Sequence, residues 1–408
     1  MGRWAFLLLL ALTAPLPAQE RRIEVVIEGN QQGLDAWVEG FRGRALAVGI
    51  SPAAFQEGMA GVTFLPKVVE RDRRQDEFTK AIWDYLDKAV SEDRIALGRK
   101  ALRDQAAVLD RIEATYGVDR QAVVAIWGLE SSYGAVRGDI PTISALATLA
   151  YDGRRGAFFE GELTEALRIL QGGHVAPGAM LGSWAGAMGH TQFMPSSWAK
   201  LAVDFDGDGK RNIWSDDPAD ALASTAAYLA KASWKKGVPW GREVRLPEGF
   251  DYLLAGPRTQ KPLAYWAGLG VTDAAGGTLA GEDWASLLLP AGAGGPAFLI
   301  FDNFAAIETY NLADSYVIAV GHLADRLAGG GPFLAPWPRE LRVLDYFERI
   351  ELQERLTTAG FDTLGADAKM GPRTLAAIRG YQVKSGLLPD GYPSLPLLER
   401  LRSEQPVR

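Results

Sequence analysis

Glu130 stands directly before a turn of Ser131, Ser132, Tyr133 and Gly134, and it falls on the apolar stripe of the segment DRQAVVAIWGL. It follows Val123 by seven residues, Ile126 by four and Trp127 by three, the spacings that share one helix face. Burial against Ile126 and Trp127 disfavours ionisation and raises a carboxyl pKa, the condition for a glutamate to stay protonated and act as a general acid. Taken alone, a glutamate at a helix end reads as a solvated residue at a fraying terminus. Two other segments strengthen the chemical reading. GSWAGAMGHTQFMPSSW, residues 182–198, combines small residues that permit close backbone approach with Gln192, which offers a donor and an acceptor. ETYNLADSYVIAVGHLADRL, residues 308–327, places Tyr310, Asn311 and Tyr316 around a helix start. Their bland alternatives are a tight packing corner and a helix cap.

A third cluster suits a cation. Asp204, Asp206 and Asp208 alternate, and Gly209 occupies the sixth place, the opening of a Ca²⁺-binding loop. Ser215 stands at the twelfth place, where a complete EF-hand has a bidentate glutamate. The plain alternative is a solvated Asp/Gly turn. His174, His190 and His322 have no spacing that suggests zinc, and His322 lies inside an apolar helical run that suggests a packed residue.

The elements that must position these groups are mostly helical. From about residue 22 to 129 apolar residues recur three and four apart; Gly117 suits a helix stop and Asp119 a helix start. Helical patterning continues through TISALATLA, FFEGELTEALRILQ and ADALASTAAYLAKASW. Between residues 237 and 296 glycine, proline and short alternating runs such as REVRL predict a small strand-bearing insertion, and SYVIAVGHLADRL closes the region as a helix. Residues 329–340, with three glycines followed by three prolines, read as a linker. Residues 341–408 read as a compact helical module, with Gly371 and Pro372 at a helix N-terminus and Leu375, Ile378 and Tyr381 on its inner face.

The 408 residues suffice for two or three domains, and a formal charge of −7 argues against nucleic acid as a partner. Arg3, an apolar run through Leu12 and small residues up to Ala18 predict a secretory signal over residues 1–18, with an apolar stretch too short to span a bilayer. The absence of cysteine removes disulfides, zinc-thiolate sites, cysteine nucleophiles and a lipid-anchored cysteine. A soluble, exported, periplasmic protein is expected, with no transmembrane anchor after signal cleavage.

The strings GLESSYG (128–134), GAMGHTQFMPSSW (186–198), VDFDGDGKRNIW (203–214) and YNLADSYVIAVGHLA (310–324) together resemble the lytic murein transglycosylases of the membrane-bound B type. The resemblance covers residues 22–328. It implies a mainly α (α+β) chain: a lysozyme-like helical catalytic domain that cleaves the bond between N-acetylmuramic acid and N-acetylglucosamine without water. Glu130 matches the single catalytic glutamate, protonating the glycosidic oxygen and then taking the proton of the muramic 6-hydroxyl to give a 1,6-anhydro end. Ordinary glycosidases use two carboxylates; here Asp152 is the nearest downstream candidate and reads as part of a turn. The resemblance places sugar-binding groups at Tyr85, Ser183, Gln192, Tyr228, Tyr310, Asn311 and Tyr316. It places a structural Ca²⁺, or Na⁺, on Asp204, Asp206, Asp208, the Lys210 carbonyl and Asp220, with no cofactor for catalysis. His190 and Thr191 depart from the family pattern, which has an aromatic residue and a glycine there. Residues 341–408 are similar to the small three-helix peptidoglycan-binding domain of wall hydrolases, so the implied partner is the glycan strand; partners in wall synthesis or hydrolysis are not legible. A hydrolytic muramidase and a catalytically silent wall-binding scaffold are the competing expectations.

Overall fold

The structure, a computed structural model, describes residues 27–73, 80–257 and 259–404. The expected export signal, residues 1–18, lies outside them. Helices dominate, as the apolar spacing predicts. A first group, Gln31–Ala47, Pro52–Met59 and Pro66–Arg73, packs on Thr142–Asp152 and Gly156–Gln171 around Leu34, Phe41, Leu146, Phe159 and Leu167. Local chemistry sets the starts of the first two: Asn30 and Ser51 accept the N–H groups of Gly33 and Ala54, and Pro52 occupies a first-turn position that needs no donor.

The second group holds the glutamate. The helix Arg120–Ser131 is enclosed by Glu92–Asp104, Ala106–Tyr116, Ala219–Lys231 and Asp314–Leu327, with Val123, Ile126, Leu222, Val317 and Ile318 in the shared core. Every residue from Ala122 to Gly128 is buried. The stripe expected on one face therefore extends around the helix, because Ala122, Ala125 and Gly128 let its neighbours close on the remaining sides. Asp119 sits at the N-cap position but does not cap. Its carboxylate instead accepts Trp234 Nε1 at 2.8 Å and the Gly237 N–H at 3.2 Å.

Two strands of two residues, β1 (Ile140–Pro141) and β2 (Leu181–Gly182), pair antiparallel ahead of the insertion. The insertion carries β3 (Gly241–Arg245), β4 (Lys261–Pro262), β5 (Thr272–Asp273), β6 (Trp284–Leu288) and β7 (Ala297–Ile300) in the antiparallel order β4-β6-β7-β3-β5. Its two faces serve two cores. Ala285, Leu287, Ala297 and Leu299 join Leu263 and Trp266 inside the insertion, while Leu288, Phe298 and Ile300 turn to the helical core. This period of two locks the insertion to the helices and fixes its register.

Residues 329–340 are held along their length. Phe333 stacks on His322 with ring centroids 3.7 Å apart, the Leu334 and Ala335 N–H groups donate to Glu243, and Trp337 packs against Trp83. The C-terminal unit is the helix trio Tyr346–Thr358, Pro372–Lys384 and Leu395–Glu404 around Leu352, Leu356, Ile378 and Leu398. Its buried Gln353 fastens the intervening loop, accepting the Asp367 and Ala368 N–H groups and donating to Thr374 Oγ1. Asp390 accepts the Ala293 N–H at 3.0 Å, a direct bond from this unit to the insertion.

Gly321 marks where the insertion presses on the Asp314–Leu327 helix: a Cβ added there would lie 2.3 Å from Trp240 Cδ2. Gly321→Ala is expected to lower stability by about 1–3 kcal/mol, read as an earlier urea midpoint, because the indole ring has to move in a packed core. An unchanged midpoint would show that this contact is loose.

Candidate active site

Glu130 is the penultimate residue of the Arg120–Ser131 helix and is half-buried. Tyr316, on the first turn of the Asp314–Leu327 helix and 5% exposed, donates its hydroxyl to Glu130 Oε1 at 2.6 Å. Removal from water pushes the Glu130 carboxyl up to about 7, and the Tyr316 hydrogen bond pulls the other way. The surrounding phenols register the same charge. Burial first, and then Glu130, hold Tyr310 and Tyr316 well above the ordinary tyrosine range and push Tyr85 up to about 12. Tyr85, on the helix Ile82–Ala89, thus lies within the field of Glu130.

Tyr310 lies parallel to Tyr316, with 6.5 Å between ring centroids, and tilts against Tyr228 at 4.7 Å; Phe193 meets both Tyr228 and Tyr310 edge-on. The Tyr310 and Tyr228 hydroxyls donate to the carbonyls of Thr191 and Thr309, each at 2.6 Å. Those O–H donors are already engaged. The two side chains therefore offer a ligand ring surface and hydroxyl lone pairs.

Ser183 Oγ accepts the N–H groups of Ala185 and Ala187, which leaves its own proton to donate. Gln192 sits at φ 55° with its amide nitrogen bonded to the carbonyls of Arg137 and Gly189, so its Oε1 is the group it can offer. Asn311 is exposed, and its Oδ1 accepts the Ala313 N–H in the turn that starts the next helix.

Other groups fix the site without being legible as site residues. Trp127 Nε1 donates to His190 Nδ1 at 3.1 Å, and His190 Nε2 lies 2.7 Å from the Ser215 carbonyl. This pattern requires a neutral ring with its proton on Nε2, and burial lowers the His190 pKa accordingly. Ser131 Oγ donates to the His190 carbonyl at 2.5 Å and accepts the Gly134 N–H. Gly134 is at φ 85°, and a Cβ there would meet His190 Nδ1 at 2.5 Å, so only glycine fits. Arg137 binds the Trp214 and Ser215 carbonyls, and Arg94 donates to the Gly128 carbonyl. A buried indole N–H demands an acceptor. Nothing in the sequence says that the acceptor stands 63 residues later.

Two other acids are committed elsewhere. Asp152 pairs with Arg73 at 2.6 Å, and buried Glu162 accepts the Ser196 N–H and hydroxyl, anchoring the end of the Gln192 loop. In the Asp-rich loop, oxygens of Asp204, Asp206 and Asp208 lie within 4.8 Å of one another. Asp220, buried, accepts the N–H groups of Phe205, Asp206 and Asn212 and so holds the loop from beneath, while the Lys210 N–H donates to Asp208. Three converging carboxylates form a hard-oxygen donor set of the kind that suits Ca²⁺.

The arrangement supplies one acid able to give and retake a proton near neutral pH, beside an aromatic wall and amide and hydroxyl groups suited to a sugar. Because folding raises the Glu130 pKa from 4.5 to about 7, the folded chain retains a proton that the unfolded chain releases between those values. Stability is therefore fully present at low pH and falls as pH rises through that window, by up to about 3 kcal/mol. Glu130→Gln removes this slope. It should match the parent in urea unfolding at pH 4 and exceed it at pH 8; equal pH slopes would contradict the burial of this carboxyl.

The Transglycosylase SLT domain family matches residues 33–325, and a putative peptidoglycan binding domain matches residues 348–401. Membrane-bound lytic murein transglycosylase B of Escherichia coli (strain K12) is 35% identical over 251 residues, 60% of this chain and 66% of that protein, slightly under two thirds of its length. SltB3 of Pseudomonas aeruginosa, solved in complex with NAG-anhNAM-pentapeptide, superposes with a TM-score of 0.89 at 50% identity, covering 91% of this chain and 100% of that one. The Escherichia coli lytic transglycosylase Slt35 in complex with calcium gives 0.62 at 31% identity, covering 73% and 93%. By these matches the chain belongs to the SLT-domain lytic transglycosylases of the B type and carries a peptidoglycan-binding domain.

Proposed function

We infer that this protein cleaves the β-1,4 bond between N-acetylmuramic acid and N-acetylglucosamine in peptidoglycan without water, leaving 1,6-anhydromuramic ends. The observation that carries the reading is the Glu130 carboxyl, half-buried, poised near 7 and hydrogen-bonded to Tyr316. Protonated Glu130 gives its proton to the glycosidic oxygen as the C1–O4 bond breaks. The resulting carboxylate takes the proton of the muramic 6-hydroxyl as O6 bonds to C1, and the glutamate returns to its starting state. One acid suffices because nucleophile and leaving group belong to the same strand, and Asp152, bound to Arg73, is not required. The anhydro-sugar complex of SltB3 supports this outcome over hydrolysis.

Tyr85, Ser183, Gln192, Tyr228, Tyr310, Asn311 and Tyr316 are proposed to line the glycan cleft. Ring faces cover pyranose carbons, while Gln192 Oε1 and the Ser183 hydroxyl bond acetamido and hydroxyl groups. The C-terminal unit is proposed to hold the enzyme on the wall. Periplasmic action follows from the wall as substrate, and no helix among the described residues is long and apolar enough to cross a membrane. Asp204, Asp206 and Asp208 are proposed to hold Ca²⁺, with the Lys210 carbonyl beside them and Asp220 as a ligand or anchor. The calcium complex of Slt35 supports this, and the ion's role would be to fix the loop.

Mass spectrometry of digested sacculi tests the chemistry: the parent should release anhydromuropeptides, and Glu130→Gln should lower their release at least about a hundredfold. Reducing ends from the parent, or undiminished release by the variant, would refute it. For the metal, excess Ca²⁺ at about 100 times its Kd should stabilise the chain by about 3 kcal/mol, seen as a higher Tm than in EDTA. A double Asp204→Asn, Asp208→Asn variant should lose that increment; identical melting of the parent in Ca²⁺ and EDTA would remove calcium from the account.

A further inference from the structure

Away from Glu130, the insertion and the Asp302–Glu308 helix enclose an open cavity of about 320 Å³ lined by Lys235, Gln260, Glu282, Asp283, Trp284 and Asp302. Trp284, the first residue of β6, lines it and is 55% exposed overall. The indole thus presents an open ring face at the cavity wall. Val238 and Phe301 complete the lining, and several of its polar groups are already held in place. Lys235 pairs with Asp302, and Gln260 donates to the same carboxylate at 3.3 Å, which leaves Gln260 Oε1 as an acceptor. Beneath them the fully buried Asn303 is bonded to the Lys235 N–H and to the carbonyls of Lys235 and Val238, so the floor is rigid.

We propose that this cavity is a second glycan-binding site, in which Trp284 covers the apolar face of a pyranose while Gln260, Glu282 and Asp283 accept its hydroxyl protons. Sugars match this lining: they present one apolar face and a ring of O–H donors, and the cavity volume accommodates a sugar unit. Its place in the fold suits the same polymer. The Asp302–Glu308 helix begins in the cavity and leads directly to Thr309 and Tyr310 at the cleft, and its seven residues span about 10 Å. One strand held at both ends of this helix would be bound with the added strength of two linked contacts. The inference rests on glycan being the substrate, and its test reads binding rather than cleavage.

The full chain carrying Glu130→Gln, in which turnover is expected to be slowed at least about a hundredfold, is titrated in the cold with glycan strands stripped of their peptides, and the strands are checked for intactness afterwards. Adding Trp284→Ala should raise the Kd roughly five- to tenfold, and Trp284→Tyr should restore most of the loss. Glu282→Gln with Gln260→Ala should weaken binding at least about twofold. An unchanged Kd for the Trp284→Ala chain would overturn the site. A loss seen only with peptide-bearing strands would overturn the sugar assignment in favour of a stem-peptide ligand. Product analysis of the parent reports on the cleavage reading alone, so the two ideas fail separately.

Discussion

The bond from the Tyr316 hydroxyl to Glu130 is the contact on which the proposed chemistry turns, because it opposes the desolvation that surrounds it. Exclusion of water alone would keep the glutamate protonated and make it a willing acid but a reluctant base. Several strong donors would have the reverse effect and hold it ionised. A single phenol, itself held well above its ordinary pKa by burial, supplies a hydrogen bond without supplying a charge. The balance leaves the carboxyl near 7, where both protonation states are reached at small cost, as the proposed cycle needs.

Keeping that balance requires two helices and one loop to be held in place. The glutamate helix is clasped on all sides through small residues. The Gln192 loop is tied at its far end by Glu162, at its centre by Gln192 to Arg137, and at its near end by Trp127 to His190. The tyrosine hydroxyls that donate to the Thr191 and Thr309 carbonyls belong to the same logic: they hold the rings still.

Much of this was legible, and the remainder was hidden for identifiable reasons. Local patterns carried the helices and the strand-bearing insertion, whereas the motif resemblance offered Tyr316 only as a sugar contact and did not foresee its bond to Glu130. Asp119 was misread because capping preference is local, whereas Trp234, over a hundred residues away, claims its carboxylate. His190 stood out in sequence only as a departure from the family. Its neutral ring proves to be the acceptor that a buried indole needs, a pairing with no local signature. The sugar contacts suggested for Tyr228 and Tyr310 were chemically sound by residue type, yet which atoms remain free depends on bonds that only the fold reveals.

Composition misleads most over residues 329–340, where glycine and proline suggest slack. The segment is pinned by Phe333 on His322, by Glu243 on two backbone N–H groups and by Trp337 on Trp83. His322 lies on the same helix as Tyr316, and so do Gly321 and Asp325, which meet the Trp240 ring and its Nε1–H. The helix that donates the proton-balancing hydroxyl is thus also the beam on which the insertion and the connecting segment rest. A module attached through such a segment is presented in a fixed orientation. Effective concentration is then high for a strand whose path fits both sites and negligible for one whose path does not. With the C-terminal unit holding the wall as proposed, rigidity here would select among strand geometries, which a flexible tether of the same length could not do.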